Sequence, residues 1–246
     1  MIAALRAEIR KLLTLRSTYI LVGLAILFLF LIAFYVNGYR LAGADLRDPH
    51  QLATDITGAL TSLPTIFGSI IAILLVTHEY RYNTIMYTLT ASNSRSKVLF
   101  AKILAISIFA LLFTVVIGVL SPVLSYLGVH AHGHALAAQT IPYGSLVWRG
   151  LFYGWASILA GLLLASLFRN QIVSIVSLFV IPSLEQALAL VLKNNSVYLP
   201  FMSSNEVLMR PERGSITYGH AALVFLTYLV IGWIVAWTLF LRRDAN

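Results

Sequence analysis

Hydrophobic residues in this chain gather into long runs, separated by short polar connections. Six runs of roughly 20 residues are predominantly apolar, and they lie near 18–37, 57–77, 103–122, 150–168, 172–192 and 219–241. An α-helix needs about 20 apolar residues to cross a bilayer, since all its backbone polar groups must be paired within the segment. The pattern predicts an all-α polytopic membrane protein with six transmembrane helices in a single domain, 1–246.

A helix of a different kind is predicted before the first run. Its apolar residues recur at helical spacing on one face, with basic residues between them; they are Ile2, Leu5, Ile9, Leu12 and Leu13. This pattern is typical of an amphipathic helix that lies in the headgroup layer with its apolar stripe in lipid. The alternative is a simple extension of the first span.

The composition excludes a water-soluble globule. Hydrophobic residues make up 59% of the chain and charged residues 11%, whereas soluble domains have about 45–50% and about 25%. The runs leave no room for a soluble domain of ordinary size. The chain has no cysteine, which excludes disulfides and thiolate metal sites.

The net charge of +8 is explained by its distribution. If six spans put both termini on one side, that side carries eleven of the 17 lysines and arginines. An excess of basic residues in short loops marks the cytoplasmic side. We therefore expect a multi-pass cell-membrane protein with cytoplasmic termini, a lipid partner and no nucleic-acid partner.

The connection between the second and third spans, residues 78–98, is polar, patterned and predicted to be cytoplasmic. It opens with His78-Glu79-Tyr80-Arg81. The ordinary role of Glu79 and Arg81 at this position would be to anchor the helix at the membrane surface. A short helix parallel to the membrane would then dock a cytoplasmic protein. The other residues predicted to serve it are Thr84, Ile85, Met86, Thr88, Leu89, Ser94, Arg95 and Lys97. Ile85, Met86 and Leu89 are expected to form an apolar stripe on this short helix, and Ser92 or Ser94 to cap the helix of the third span.

Several catalytic motifs are absent. None of the four lysines follows a glycine, so the chain lacks the Gly-Lys-[Ser/Thr] of a P-loop. His78-Glu79 lacks the second histidine of a zinc protease, because Tyr82 stands there. His130, His132 and His134 alternate in a predicted outer loop, where a solvated loop is favoured over a metal site. We expect no cofactor and no enzymatic activity in this chain.

Glu185 is an ionisable residue inside a predicted span. A carboxylate in hydrocarbon is costly and marks a transport pathway or a paired site. Two alternatives stay open: Glu185 and Gln186 line a pathway, or Glu185 reaches the outer interface and pairs with Gln186 or Lys193.

The first hundred residues resemble the type-2 ABC export permeases, the six-span membrane subunits of ATP-binding-cassette exporters. The family's Glu-x-Arg element is matched by Glu79-Tyr80-Arg81, and Asn83 stands where the family often has glycine. The family's later pairs are matched by Thr88-Leu89 and Ser94-Arg95. The sequence "LRAEIRKLLTLRSTY" resembles the family's amphipathic elbow.

The resemblance implies a permease that works as a homodimer or pseudo-dimer, with each copy docked on a separate cytoplasmic ATPase that binds ATP and Mg²⁺. Residues 79–97 would then include the coupling helix. The alternatives are an ion-coupled carrier that depends on Glu185, a non-transporting membrane subunit of an ABC system, and an intramembrane enzyme. The last would need catalytic groups that converge, and the sequence does not indicate any.

Overall fold

A computed structural model describes residues 2–37, 62–87, 95–132, 143–208 and 216–242, and these residues form helices and no strand. The α-helices are α1 (Ile2–Thr14), α2 (Arg16–Phe30), α3 (Ser69–Arg81), α4 (Arg95–Ala131), α5 (Tyr143–Phe168), α6 (Gln171–Leu192), α7 (Pro200–Leu208) and α8 (Tyr218–Arg242). A π-helix at Leu31–Asn37 continues α2, another at Pro64–Gly68 precedes α3, and a 3₁₀ helix at Lys193–Tyr198 follows α6.

Five helices among the described residues are long and apolar enough to cross a membrane. They are Arg16–Val36, Ser96–Ala131, Trp148–Phe168, Gln171–Tyr198 and Tyr218–Arg242. The all-helical class is confirmed. The remaining predicted span, 57–77, begins outside the described residues and stays a prediction, as does the count of six.

The third predicted span is much longer than expected. We placed it at 103–122, whereas α4 has 37 residues and runs through Pro122. Residues 95–98, which we assigned to the coupling segment, are therefore the first turn of α4. The helix begins before the predicted span because Arg95, Lys97 and Lys102 are charged and lie outside the apolar run that defines the span.

The core of the bundle is the contact between α5 and its neighbours α3 and α4. Ile73 on α3, Ile106 on α4, and Ile158 and Leu162 on α5 are completely buried in one cluster. Gly161 lets the backbones of α5 and α3 approach closely, because a Cβ there would lie 2.7 Å from the Cβ of Ser69. Small residues at helix contacts are typical of membrane bundles, where close packing replaces the hydrophobic effect between helices.

The amphipathic helix α1 packs on protein more than we expected. Leu12 is buried, and Leu5 and Ile9 pack against the main hydrophobic cluster. Only Ile2 and Leu13, which are 71% and 60% exposed, remain available to lipid. The apolar stripe therefore packs α1 against the bundle. The position of α1 in the headgroup layer stays a prediction.

Contacts between helix ends define one end of the bundle, here called the elbow end. Lys11 of α1 meets Glu79 near the end of α3 and Glu79 meets Lys102 near the start of α4. The turn between α5 and α6 contributes Arg169, which lies over the ring of Phe240 near the end of α8. These are the segments that the charge distribution assigned to the cytoplasm.

The close contact of α3 and α5 gives a first test. Gly161→Ala should lower the melting temperature, because the new methyl group overlaps Ser69 and overpacking of this kind costs about 1–3 kcal/mol. Gly23→Ala is the matched control, since nothing lies within 4 Å of a Cβ built at Gly23. Equal melting temperatures for the two variants in detergent would contradict the described packing.

Candidate functional site

Four charged side chains form an ion cluster at the elbow end of the bundle. Lys102 Nζ donates to Glu8 Oε2 at 2.8 Å and to Glu79 Oε1 at 2.7 Å. Lys11 Nζ donates to Glu8 Oε1 at 2.8 Å and also to Glu79 Oε1. Each lysine thus bridges both carboxylates, and the four residues, here called the elbow cluster, connect α1, α3 and α4.

Local structure explains why these four residues meet. Glu8 and Lys11 are three positions apart on α1, so both lie on one face of that helix. Glu79 is in the last turn of α3 and Lys102 is in the second turn of α4. The two helices end and begin at the same end of the bundle, where α1 packs on α4 and reaches α3 through Lys11.

The elbow cluster is buried and electrically balanced. Glu8, Lys102 and Glu79 are 2%, 3% and 5% exposed, and only Lys11 reaches the surface appreciably. Removing four charges from water is costly, and that cost is offset only when each charge is closely paired. Because each ammonium contacts two carboxylates, loss of any one residue leaves an excess charge in a buried place.

The pKa values of Glu79 and Lys11 reflect this pairing. Burial by itself would raise the pKa of Glu79, but the charge of Lys102 and the hydrogen bonds from Lys102 and Lys11 lower it below its ordinary value. Burial lowers the pKa of Lys11, but the hydrogen bonds and charges of Glu79 and Glu8 outweigh this and leave it raised. Both groups are therefore held in their charged forms.

The chain leaves α3 through a Schellman motif. Thr84 N donates to the carbonyl of Glu79 at 2.9 Å, Asn83 N donates to that of Tyr80 at 3.3 Å, and Asn83 has a φ of 54°. This left-handed conformation favours glycine, and asparagine tolerates it better than most residues. The departure from the family pattern at Asn83 is therefore conformationally conservative, and Thr84 serves the helix end through its backbone.

The remaining predicted coupling residues divide between the interior and the surface. Ile85 is 2% exposed and Met86 is 50% exposed, so they do not form the shared apolar stripe that we expected. Arg81, Thr84 and Lys97 are exposed. Arg95 is the first residue of α4, and four predicted residues fall outside the described part of the chain: Thr88, Leu89, Ser92 and Ser94.

The carboxylate of Glu185 caps the N-terminus of α7, at the end of the bundle opposite the elbow end. Its Oε2 accepts hydrogen bonds from the backbone amides of Phe201 at 2.8 Å and Met202 at 3.0 Å, at the start of α7. Glu185 is buried whereas Gln186 is exposed. The two alternatives for Glu185, a transport pathway and a pair with Gln186 or Lys193, stay predictions. The carboxylate satisfies amides that a helix leaves unpaired and complements its positive dipole end.

Sequence reasoning found Glu79 but missed its three partners. From the sequence, we assigned Glu8 and Lys11 to the polar face of an amphipathic helix. We used Lys102 only as one of the basic residues that indicate the cytoplasmic side. The signal was present, because Lys102 is followed by an uninterrupted apolar run. A lysine at the start of a span needs a carboxylate if it is buried, but the pattern does not show which one supplies it.

Residues 4–184 match the family model described as "ABC-2 family transporter protein". The matched range includes all four residues of the elbow cluster and ends just before Glu185. No curated protein gives a significant match to the chain.

The elbow cluster predicts a large difference between two lysines of α4. Lys102→Met should destabilise the protein by about 3–5 kcal/mol, since it leaves two buried carboxylates with too little positive charge. Lys97→Met removes an exposed lysine five residues away and should change stability by less than about 0.5 kcal/mol. Chemical unfolding in detergent measures both, and equal effects would count against the cluster.

The stability of the protein should also fall at acidic pH, because the pKa of Glu79 is lowered in the folded state. Because the folded-state pKa is lowered, the contribution of Glu79 is complete above the ordinary glutamate pKa and is lost as the pH falls through the folded value. Glu79→Gln removes this titration. We therefore expect the melting temperature of the wild type to fall more steeply on acidification than that of Glu79→Gln, and parallel profiles would refute the assignment.

Proposed function

This chain belongs to the ABC-2 family of transporter proteins, and we propose that it is the permease subunit of an exporter driven by a separate cytoplasmic ATPase. The ATPase would bind ATP and Mg²⁺, and this chain would supply the path through the membrane. The absence of a Gly-Lys-[Ser/Thr] sequence supports that division of roles.

The elbow cluster is the observation that carries the proposal. Residues 82–94 connect the two helices that Glu79 and Lys102 tie together. The same ion contacts fasten α1 to both helices. A force applied to this connection would therefore move α1 and the adjoining ends of α3 and α4 as one body, which is the mechanical property that a coupling element requires.

The surface beside the elbow cluster suits a protein partner. Tyr82, Met86 and Tyr87 are 64%, 50% and 76% exposed, and exposed Arg81 precedes them. Tyrosine, methionine and arginine are enriched in protein interfaces. We propose that Tyr82, Met86 and Tyr87 contact the ATPase directly, whereas Glu79, Arg81 and buried Ile85 hold the segment in position. This assignment replaces the single apolar stripe expected from the sequence.

Orientation and assembly complete the proposal. The elbow end would face the cytoplasm, in line with the excess of basic residues there. Two permease copies would then each present one elbow end to an ATPase pair. Closure of that pair on ATP would shift the elbow ends and open an outward route between the two copies.

An ion-coupled carrier is less well supported. It would depend on the availability of Glu185, whose carboxylate already accepts two backbone amides of α7. Transport that persists with an uncoupler and stops on ATP depletion would distinguish the two mechanisms.

The proposal predicts that a P-loop ATPase purifies with this chain and that Met86→Asp reduces its recovery at least fivefold. The substitution puts a charge on an exposed residue of the docking surface, so the fold should survive. The control is Asn194→Asp, which adds the same charge at an exposed position between α6 and α7. Mass spectrometry identifies and quantifies the partner.

Three outcomes would overturn this proposal. The first is that no ATPase with a P-loop accompanies the wild-type chain. The second is that Met86→Asp and Asn194→Asp retain the ATPase equally. The third is that Glu79→Ala together with Arg81→Ala leaves both ATPase binding and ATP-driven transport intact.

A further inference from the structure

A groove of about 490 Å³ lies beside the elbow cluster, between the end of α3 and the turn that joins α5 to α6. One wall carries Tyr80 and Arg81, and the other carries Arg169, Asn170 and Gln171. Arg81 Nη1 is 3.5 Å from Gln171 Oε1, so a hydrogen bond links the two walls.

The groove is basic. Arg81 and Arg169 supply two permanent positive charges, and none of the described residues that line the groove is acidic. Glu79 is nearby in sequence, but it does not line the groove, and its Oε1 accepts from Lys11 and Lys102 in the elbow cluster. An anion in the groove would therefore meet two guanidinium groups, together with the side-chain amides of Asn170 and Gln171.

Arg169 is the residue that ends α5. Its φ of 53° is left-handed, and its amide donates to the carbonyl of Ala165 at 2.9 Å, as at many helix C-termini. Its guanidinium lies 5.2 Å from the ring centre of Tyr80 and 5.7 Å from that of Phe240. The cap therefore places a positive charge between the ends of α3, α5 and α8.

The groove opens beside an apolar surface of the adjacent span. Ile172 lines the groove and is 74% exposed. Exposed apolar residues then recur at four-residue intervals along α6, so they form one inclined row on the surface of that helix and run away from the elbow end. They are Ile172, Val176, Val180, Leu184 and Leu188.

We propose that this groove binds the phosphodiester of an anionic phospholipid, whose acyl chains lie along the Ile172–Leu188 face of α6. A basic pocket between helices at the membrane surface is suited to such a headgroup. Only Arg169 and Asn170 separate the candidate spans Trp148–Phe168 and Gln171–Tyr198, so this turn lies at the membrane surface. That the lipid belongs to the cytoplasmic leaflet rests on the proposed function, in which the elbow end faces the cytoplasm.

An amphiphile fits these observations better than an acidic side chain of the ATPase does. An acidic side chain would use the two arginines but not the apolar surface of α6 that adjoins them. A phospholipid uses both at once. The bound lipid would bridge the end of α3 to the α5–α6 turn, and would make coupling sensitive to the anionic content of the membrane.

Lipid binding is tested on the purified full chain by native mass spectrometry. The detergent-solubilised protein is titrated with phosphatidylglycerol, and with phosphatidylcholine as the zwitterionic comparison. Arg81→Gln and Arg169→Gln should each weaken phosphatidylglycerol binding about fivefold, and the double variant about thirtyfold, from the usual contribution of one basic residue near an anionic headgroup. Lys97→Gln and Arg242→Gln, at exposed positions outside the groove lining, are the controls and should leave binding unchanged.

A second measurement needs no variant. Phosphatidylglycerol with a photoreactive group in its acyl chain should label α6 between Ile172 and Leu184 of the wild-type chain. Labelling that avoids this face would overturn the proposal. So would equal binding of both lipids, equal losses in the controls and the groove variants, or displacement by millimolar inorganic phosphate, which would mark a site for the free ion.

The outcome is separable from that of the proposed function. Loss of ATPase recovery in the two groove variants, with phosphatidylglycerol binding intact, would assign the groove to the ATPase and would refute the lipid site. Specific lipid binding and α6 labelling in a chain that recovers no ATPase would support the lipid site and refute the ATP-driven exporter.

Discussion

The structure depends on the burial of four charges where three helices meet. Glu8, Lys11, Glu79 and Lys102 cannot be removed from water separately, because each would then lack the counterion that offsets its desolvation. The contacts therefore form together or not at all. This requirement fixes the amphipathic helix α1 on the ends of α3 and α4, although 68 and 94 positions of sequence separate the bridged residues.

The rest of the elbow end is consistent with a rigid mechanical joint. The Schellman motif at Asn83 ends α3 within one turn of Glu79, so the chain turns at the level of the elbow cluster. Below it, the close approach of Ser69 and Gly161 fixes α3 against the central helix α5. Motion that enters between α3 and α4 would thus reach α5 through close packing, and the basic groove beside this path offers a site where lipid could modulate it.

Sequence periodicity predicted the all-helical class and most of the spans, because burial in lipid imposes a strong and local hydrophobic signal. Glu79 was singled out by the resemblance at Glu79-Tyr80-Arg81, and its role in coupling stays a prediction. Periodicity did not predict the elbow cluster, since Glu8, Lys11 and Lys102 each have an ordinary local explanation and only tertiary packing brings them together. The same limit applies to Glu185, whose partners are backbone amides of α7. Backbone amides occur at every residue except proline and leave no mark in the sequence pattern.

Hydrogen exchange in α1 tests the central claim most directly. Glu79 is far from α1 in sequence, so Glu79→Gln can affect that helix only through the contacts with Lys11 and Lys102. We predict that the amides of Ile2–Thr14 exchange faster in Glu79→Gln than in the wild type, while those of α7, at the other end of the bundle, keep their protection. Unchanged exchange throughout α1 would contradict the account.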